Sequence, residues 1–416
     1  MVTRVLLVVT VILLIVPTAA AQETGPAATR VYGQSDLASN TAGHDADGLV
    51  FPIGLAEDSN GGVYVADRNN SRILYFAPDG DTTADRVYGQ YGDLASYTQN
   101  YDGVGGSGLP SAETLNFPVG ISLDATDGLY VTDRENHRVL YYAFDGNTTA
   151  DRVYGQFDTF TTNPPNNDGL GGNGLPSAAN IGVFALGVLA DGDGGLLVSD
   201  SSNNRVLYFA PEGDTNADTV YGQFGIFTSG VKNNDGSGQT GAPSAENLNF
   251  PRGLALDGSG GLYVADRENH RVLYFADDGE TVADRVYGHG GSFTSGVPND
   301  DGAGPADSPT AETFNQPPSV ALDRNEGLYV ADRDNNRVLY FANDGDTTAD
   351  WVFGQFGSFT TNVANNDGSG ASGTPSAENL NHPQFVMVAA DGSLFISDTG
   401  NNRVLVLPPE ALPELT

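Results

Sequence analysis

Cysteine is absent from this chain of 416 residues, and lysine, tryptophan and methionine are scarce: there is one Lys (Lys232), one Trp and two Met. Without cysteine there is neither a disulfide framework nor thiolate chemistry. Basic residues are few as well, since 18 Lys and Arg stand against 53 Asp and Glu, giving a formal net charge of −35. The acids are spread along the whole sequence, so we expect a self-repelling surface that disfavours nucleic acid and anionic membranes as partners.

One stretch of sequence recurs six times. Each copy has two short runs of aliphatic, β-branched and aromatic residues around a polar turn, which is the pattern of a β-hairpin. The first run ends in an aspartate, and successive copies of that aspartate lie 66 or 67 residues apart. A fixed period of this length predicts a repeat architecture. The copies are Val63–Phe76, Leu129–Tyr142, Leu196–Phe209, Leu262–Phe275, Leu328–Phe341 and Leu394–Leu407.

The most regular copy contains Pro-x-Gly-(apolar)-Ala-(apolar)-Asp, then Gly-Gly-Leu-Tyr-Val-Ala-Asp, then Asn-His-Arg-Val, at Pro251–Val272. This motif resembles the NHL repeat, and the other five copies resemble it with drift. The resemblance covers nearly the whole chain after its N-terminal segment. It implies a six-bladed β-propeller that is used mostly for binding, while a minority of related propellers act as lyases or lactonases.

A second recurring stretch predicts how the ring closes. It reads as a short strand that ends in a Gly turn, and its first copy, Arg30–Gln34, precedes every hairpin, whereas the last hairpin has no such strand after it. If the N-terminal strand joins the last blade, the ring has no open edge. We therefore predict an all-β fold: a six-bladed β-propeller with four antiparallel strands per blade, in which the N-terminal strand closes the last blade.

The N-terminus predicts a secretory signal peptide over residues 1–21. Arg4 precedes an apolar run from Val5 to Val16, and small residues at Ala19 and Ala21 fit a cleavage site. An uncleaved anchor is the alternative, although the run is shorter than the roughly 20 residues of a membrane span. We assign the propeller to residues 22–416 and expect a secreted or cell-surface protein, with no membrane insertion after signal cleavage.

Long connections join each outer strand to the next inner strand, as at Phe224–Pro251. Within this one, Ser244 is predicted to cap a single helical turn that buries Leu248. The topology of a four-stranded blade places these loops and the hairpin turns at the same end of the ring. Binding residues favour loops on a rigid scaffold, so this end is predicted to be the working face.

Alignment of the repeats predicts which residues form the rim of the central channel, at the position that precedes each inner strand. Most of the rim is apolar, but Arg252 and Gln384 are polar, and His382 lies nearby. A metal-dependent enzyme would need His or carboxylate ligands converging on the channel. The rim holds no such set, so we assign no catalytic or metal-binding residue. The binding residues predicted at the rim and the loop face are Arg134, His137, Arg252, Arg267, His270, Arg333, His382 and Gln384.

Several of these residues have a structural interpretation as well. His137 and His270 occupy a turn position where other repeats have Ser or Asn, which cannot replace an imidazole metal ligand, so a structural polar role is the alternative. The Asp and Arg that flank this turn recur in all six copies and predict an ion pair that locks each hairpin. Arg252 either binds a carboxylate of a ligand or neutralises a loop acid such as Glu246.

No cofactor is predicted, although a structural Ca²⁺ ion is left open. Two acidic loops, Asp191–Gly195 and Asn233–Gly238, offer the oxygen ligands that hard cations prefer. Neither has the EF-hand spacing with its terminal glutamate.

Together these features favour a binding or scaffold module over an enzyme. We expect a monomer that binds a protein or glycan through the face with the long loops. One alternative is a metal-dependent propeller enzyme of lyase or lactonase type, which would need a ring of His or Glu at the channel. The other is a structural cell-envelope protein with a salt-adapted acidic surface.

Overall fold

The computed structural model describes residues 27–211, 213–302 and 308–412. The predicted signal peptide at residues 1–21 lies outside this part of the chain. Six antiparallel sheets of four strands each account for the regular structure, together with short 3-10 turns. The predicted all-β, six-bladed propeller is therefore confirmed. Within the described ranges, no helix is long and apolar enough to cross a membrane.

The strands of the first three blades follow strand β1 (Arg30–Tyr32) in chain order. Blade one consists of β2 (Pro52–Glu57), β3 (Val63–Asp67), β4 (Arg72–Phe76) and β5 (Arg86–Tyr88). Blade two consists of β6 (Pro118–Leu123), β7 (Leu129–Asp133), β8 (Arg138–Tyr142) and β9 (Arg152–Tyr154). Blade three consists of β10 (Ala185–Ala190), β11 (Leu196–Asp200), β12 (Arg205–Phe209) and β13 (Thr219–Tyr221).

The second half of the ring repeats this plan. Blade four consists of β14 (Pro251–Leu256), β15 (Leu262–Asp266), β16 (Arg271–Phe275) and β17 (Arg285–Tyr287). Blade five consists of β18 (Ser319–Leu322), β19 (Leu328–Asp332), β20 (Arg337–Phe341) and β21 (Trp351–Phe353). Blade six consists of β22 (Phe385–Val388), β23 (Leu394–Asp398) and β24 (Arg403–Leu407), completed by β1.

Strand β1 closes the ring, as predicted from the sequence. It pairs antiparallel with β24, and Arg30, Val31 and Tyr32 lie opposite Val406, Leu405 and Val404. The N-terminal strand thus supplies the outer strand of the last blade and covers an edge that a linear array would expose.

Each hairpin turns through a 3-10 turn and one residue in the left-handed region of φ. That residue has φ between 52° and 54° in all six blades. Asn and His tolerate this conformation better than most side chains, which explains the residue types found there. The left-handed residues are Ser71, His137, Asn204, His270, Asn336 and Asn402. The 3-10 turns are Arg68–Asn70, Arg134–Asn136, Ser201–Asn203, Arg267–Asn269, Arg333–Asn335 and Thr399–Asn401, with two more at His289–Gly291 and Pro409–Ala411.

The hydrophobic core lies between neighbouring blades rather than at one centre. In β16, Val272 packs into the cluster shared with blade five, whereas the next residue, Leu273, packs into the cluster shared with blade three. Because both faces of each sheet are covered, the central strands read as nearly continuous apolar runs.

A buried ion pair connects each hairpin to the long loops. The Asp–Arg pairs of all six blades have N–O distances of 2.6 to 2.8 Å and fully buried side chains, which agrees with the predicted lock. In blade four, Arg271 also donates to the carbonyl oxygens of Ser244 and Asn247 in the preceding loop and of Phe293 in the following loop. The pair therefore fixes two loops as well as its own hairpin.

The helical turn predicted at Ser244 is wrong. The segment is a hydrogen-bonded turn, in which the Ser244 hydroxyl accepts from the amide of Glu246 at 3.2 Å and the Asn247 side chain accepts from the amide of Ser244 at 2.9 Å. Arg271 takes the carbonyl oxygens of Ser244 and Asn247, which a helix would pair internally. Leu248 is fully buried, as predicted.

Candidate functional site

The hairpin turns and the long loops lie at the same end of the propeller. In blade four, Pro251 pairs with Asp266 just before the hairpin turn, and Val272, just after it, pairs with Tyr287 where the next long loop begins. Blades one and two have the same register. We call this end the loop face.

Arginines surround the channel where it opens on the loop face. Four of them directly follow the aspartate of a hairpin: Arg68, Arg134, Arg267 and Arg333. The fifth, Arg252, comes from the inner strand β14. Together they line a cavity of about 200 Å³, the channel mouth, whose other lining residues are Phe51, Ile53, Val119, Phe184, Leu186, Phe250 and Gln384.

Blades three and six break this ring of arginines. They carry Ser201 and Thr399 at the equivalent position, and each hydroxyl donates to a backbone carbonyl of the next blade, at Pro251 and Pro52 respectively. These two side chains therefore contribute to the packing between blades. The arginines form two arcs, one in blades one and two and the other in blades four and five.

Phenylalanine rings hold several of the guanidiniums. The guanidinium carbon of Arg134 lies 4.1 Å from the centroid of Phe184, and that of Arg68 lies 5.2 Å from Phe51 and 5.1 Å from Phe117. Such cation–π contacts position a guanidinium without neutralising its charge. The N–H groups at the edge of the guanidinium remain suited to an anionic ligand.

Three phenylalanines near the guanidiniums have a strained backbone. Phe51, Phe117 and Phe250 have φ values of 60°, 53° and 58°, although bulky residues rarely adopt the left-handed region. The amide of Phe250 donates to the Asn204 side chain of the preceding blade at 2.9 Å, which holds this conformation from outside the blade. Strain of this kind persists where the surroundings over-determine it, and it clusters at functional sites.

Arg252 is the most buried of the five arginines, with 6% of its surface exposed. Its side-chain hydrogen bond runs from Nη1 to Oε1 of Gln384 in blade six, not to the loop acid Glu246. Burial, reinforced by the positive charges of Arg267 and Arg333, holds the pKa of Arg252 well below its usual value. A buried cation surrounded by other cations is a site that an anion would stabilise.

Carboxylates balance only part of this charge. Arg134 pairs with Glu135 at 2.9 Å and Arg267 with Glu268 at 3.3 Å. Arg333 pairs with the neighbouring Asp334 at 2.7 Å.

Arg68 and Arg252 have no carboxylate partner in the part of the chain that the structure describes. Burial and the charge of Arg134 lower the pKa of Arg68 to about 10.

Some hydrogen-bond donors at the mouth also lack an acceptor among the described residues. Gln316 Oε1 accepts from Arg267 at 2.5 Å and from Arg333 at 3.1 Å. The Nε–H groups of both arginines are buried and have no acceptor among the residues of the described ranges. The mouth therefore presents more donors than the protein itself satisfies.

The structure brings most of the predicted binding residues together. His382 lies beside them and is partly exposed, with its Nε2 atom 4.0 Å from Asp334 Oδ1. The rim position lies inside the inner strand in blade four, where β14 begins at Pro251, but directly before it in blade six, where β22 begins at Phe385, as predicted. The predicted residues that line the mouth are Arg134, Arg252, Arg267, Arg333 and Gln384.

Sequence reasoning missed Arg68 and the phenylalanines. Arg68 follows the hairpin aspartate as Arg134 does, so an alignment of that position across the repeats would have found it. Three of these aromatic residues precede the first proline of an inner strand, as in Phe51-Pro52 and Phe250-Pro251, whereas Phe184 precedes Ala185. No local pattern shows that they reach the guanidiniums.

His137 and His270 lie between blades and away from the channel mouth. His270 Nδ1 accepts the amide of Gln316 in the next blade at 3.0 Å, while His137 Nδ1 lies 2.7 Å from the carbonyl oxygen of Val183. Asn204, Asn336 and Asn402 make the same link as His270. Burial, followed by the charges of His289 and Arg267, lowers the pKa of His270 to about 4.

The acidic loops considered for Ca²⁺ use their carboxylates internally. Asp191 Oδ1 accepts the amides of Asp193 at 2.9 Å and Gly195 at 2.8 Å, and Oδ2 accepts the hydroxyl of Tyr208 at 3.0 Å. Among the residues placed in the structure, no group of three His, Asp or Glu side chains is arranged to hold a metal ion. A structural Ca²⁺ ion stays a prediction.

One family model matches four of the six repeats. The family model of the NHL repeat matches residues 49–76, 115–142, 248–275 and 314–341, and these segments contain the four arginines that follow hairpin aspartates. No curated protein sequence matches the chain significantly.

Solved structures share the propeller fold at low identity. A gluconolactonase from Xanthomonas campestris is 13% identical, with a TM-score of 0.50 over 92% of this chain and 97% of that one. A virginiamycin B lyase from Staphylococcus aureus is 12% identical, with a TM-score of 0.45 over 93% and 95%. A hydrazine synthase from Kuenenia stuttgartiensis is 10% identical, with a TM-score of 0.49 over 92% and 100%. At these identities the likeness concerns the fold alone.

Proposed function

Because this chain carries NHL repeats within a closed six-bladed β-propeller, we propose that it is an extracytoplasmic binding module that receives an anionic group of its ligand at the channel mouth. The scaffold is rigid, since every blade is locked by a buried ion pair and the ring is closed by β1. Rigid scaffolds that carry functional loops are typical of binding proteins.

One observation carries the proposal. Arg252 is a buried cation and Arg68 a partly buried one, and neither has a carboxylate partner among the described residues of a protein whose net charge is −35. An acidic protein has carboxylates in excess, so leaving these two guanidiniums unpaired costs desolvation energy that an anionic ligand would recover. A guanidinium matches a carboxylate or phosphate through two parallel hydrogen bonds.

The surroundings restrict the size of the anion. The mouth has a volume of about 200 Å³, which suits a single charged group rather than a polymer backbone. The acidic surface around it repels polyanions such as nucleic acid. A carboxylate-bearing end of a protein or glycan ligand is the ligand chemistry that satisfies both conditions.

The residues at the mouth favour binding over catalysis. Lyase or lactonase chemistry of the kind considered above would need His or Glu at the channel. In the described chain the residues that line the mouth are five arginines, three phenylalanines, three aliphatic residues and Gln384, and the nearby Glu135, Glu268 and Asp334 are held in ion pairs with the arginines. These residues bind and orient an anion but offer no general base near neutral pH.

The predicted signal peptide supports a location outside the cytoplasm. High net charge disfavours self-association, so we propose that the module acts as a monomer.

The proposal is tested by titrating the protein with citrate, glucuronate and sulfate in a calorimeter at low salt. The variant Arg68→Gln removes an unpaired cation, and we expect its affinity to fall by tenfold or more, since hydrogen bonds to charged groups contribute about 1.5 to 3 kcal/mol. Arg324→Gln is the matched control, because Arg324 is exposed in the turn between β18 and β19, at the opposite end of the propeller.

Binding that weakens with added salt would agree with charge recognition. The proposal fails if the wild type binds none of the three anions, or if Arg68→Gln and Arg324→Gln reduce the affinity equally.

A further inference from the structure

An apolar channel continues behind the channel mouth. It is a cavity of about 360 Å³, lined by the inner strands of all six blades. Leu186 and Arg252 line both this cavity and the mouth, so the cationic site and the channel share a wall. At about 3.3 Å per residue, a six-residue inner strand such as β14 spans about 20 Å.

The lining of the channel is suited to hydrocarbon. Small side chains leave the space open at Ala56, Ala255 and Ala321, and larger apolar side chains surround it. The hydroxyl of Ser122, the one Ser side chain of the lining, accepts a hydrogen bond from the amide of Ala190 at 3.1 Å. The lining also contains one carboxylate, Glu57, at the end of β2 away from the mouth, where its Oε2 atom accepts the amide of Ala390 at 2.6 Å. Between Arg252 and Glu57 the side chains of the lining are apolar apart from Ser122, which suits an apolar ligand. The larger apolar residues are Leu123, Leu189, Leu256, Leu322, Met387 and Val388.

The boundary between channel and mouth has two unlike halves. Ile53, Val119 and Leu186 pack together as an apolar cluster. Arg252 and Gln384 form the polar half through one hydrogen bond. A carboxylate that displaced the Gln384 oxygen would take two N–H groups of Arg252 and neutralise its charge, which the amide oxygen cannot do.

We propose that the ligand is an amphipathic carboxylic acid, whose carboxylate binds Arg252 and whose unbranched apolar chain lies in the channel. The charge at one end of an apolar cavity selects this chemistry over a neutral lipid or a hydrophobic peptide. The inference rests on the anion site of the proposed function, but it names a fatty acid or a similar acyl carboxylate as the source of the anion in place of a protein or glycan end.

The test is a calorimetric series of acetate, butanoate, hexanoate and octanoate with the full-length mature protein. If the chain enters the channel, each extension by two carbons tightens binding by about fifteenfold, since each buried CH₂ contributes about a factor of four. The heat-capacity change of binding becomes more negative along the series, because apolar surface is buried. Octanol and octylamine serve as neutral and cationic probes and should bind at least tenfold more weakly than octanoate.

A variant of the channel lining distinguishes the contribution of the apolar chain to affinity from that of the carboxylate. Ala321→Leu fills the cavity from β18, so we expect it to abolish the dependence on chain length while acetate binding is retained. Ala276→Leu, a change of the same size in the turn that follows β16, is the control and should leave the series unchanged. The series with the wild-type protein remains decisive if Ala321→Leu does not fold.

The outcomes distinguish this inference from the function on which it rests. Affinity that is independent of chain length, while Arg68→Gln still weakens anion binding, overturns the inference and leaves the anion site. Binding of octanol as tight as that of octanoate overturns the role of the carboxylate. Failure of every anion to bind overturns both.

Discussion

His270 links stability to pH through a hydrogen bond that only its neutral ring can make. Its Nδ1 atom accepts the backbone amide of Gln316 at 3.0 Å, across the boundary between blades four and five. A protonated ring would place an N–H group against that amide, and the side chain is buried. Both features disfavour the cation, and the pKa of His270 is lowered from 6.5 to about 4.

The direction of the effect follows from proton binding. Between pH 6.5 and about 4 the unfolded chain binds a proton at His270 that the folded protein does not, so stability falls as the pH falls through this window. Above pH 6.5 the contribution is complete. A shift from 6.5 to about 4 corresponds to about 3 kcal/mol at the acidic limit.

The variant His270→Asn keeps the acceptor and removes the titration. Asn204, Asn336 and Asn402 already accept the equivalent amide in other blades. We expect the free energy of unfolding of the variant to lie within about 1 kcal/mol of the wild type at pH 7.5. At pH 4.5 the variant should have gained about 2 to 3 kcal/mol relative to the wild type.

Urea unfolding across this pH range measures the difference directly. The free energy of unfolding of the variant should still fall to some extent as the pH falls, because the pKa values of His289 and His382 are lowered as well. Asn204→Ser is the control, since it changes the same turn position without removing a titrating group. If His270→Asn and the wild type have parallel stability profiles between pH 7.5 and 4.5, the reasoning about the buried neutral ring is refuted.

Two further predictions concern the scaffold. Asp266→Asn leaves Arg271 as a buried cation without its carboxylate, so we expect a loss of about 3 to 5 kcal/mol in urea unfolding, and a loss below about 1 kcal/mol would contradict the role of the ion pair. Deletion of residues 22–34 removes β1 and exposes the edge of β24. We expect a lower melting temperature and concentration-dependent association in sedimentation, whereas an unchanged monomer would show that β1 is not needed for closure.

The sequence was sufficient for the architecture because the fold is a repeat. The constant spacing of the hairpin aspartates sets the number of blades, and the unpaired first strand at Arg30–Gln34 indicates how the ring closes. Local reasoning failed at Ser244, where the helix expected from the cap is replaced by a turn. There the carbonyl oxygens are taken by Arg271, a residue of the next hairpin that no local pattern connects to this loop.

The candidate site was predictable only in part, for a related reason. Repeat alignment identifies positions that face the channel, such as Arg252 and Gln384. It does not show that Arg68 of blade one lies over Phe117 of blade two, since contacts between blades depend on the curvature of the ring. The unpaired charge at the mouth is likewise a property of the assembled ring, because the acidic composition predicts a carboxylate for every arginine.

The residues around the channel mouth follow an approximate two-fold symmetry, except at the rim positions of the inner strands. Ser201 and Thr399, in blades three and six, bond to the backbone of the next blade in the same way, and the arginines of the other blades form two arcs between them. On this pattern Ile53 of blade one is the counterpart of Arg252 of blade four, and Leu186 of blade three is the counterpart of Gln384 of blade six.

One half of the boundary is therefore apolar and the other half polar. A symmetric ring would offer an anion two equal positions, whereas this one offers a single buried guanidinium beside an apolar wall. The asymmetry gives the bound carboxylate one place and one direction, with its apolar chain entering the channel past Leu186, which lines both cavities. For this reason the charge at Arg252 and the apolar lining of the channel are best understood as two parts of the same binding site.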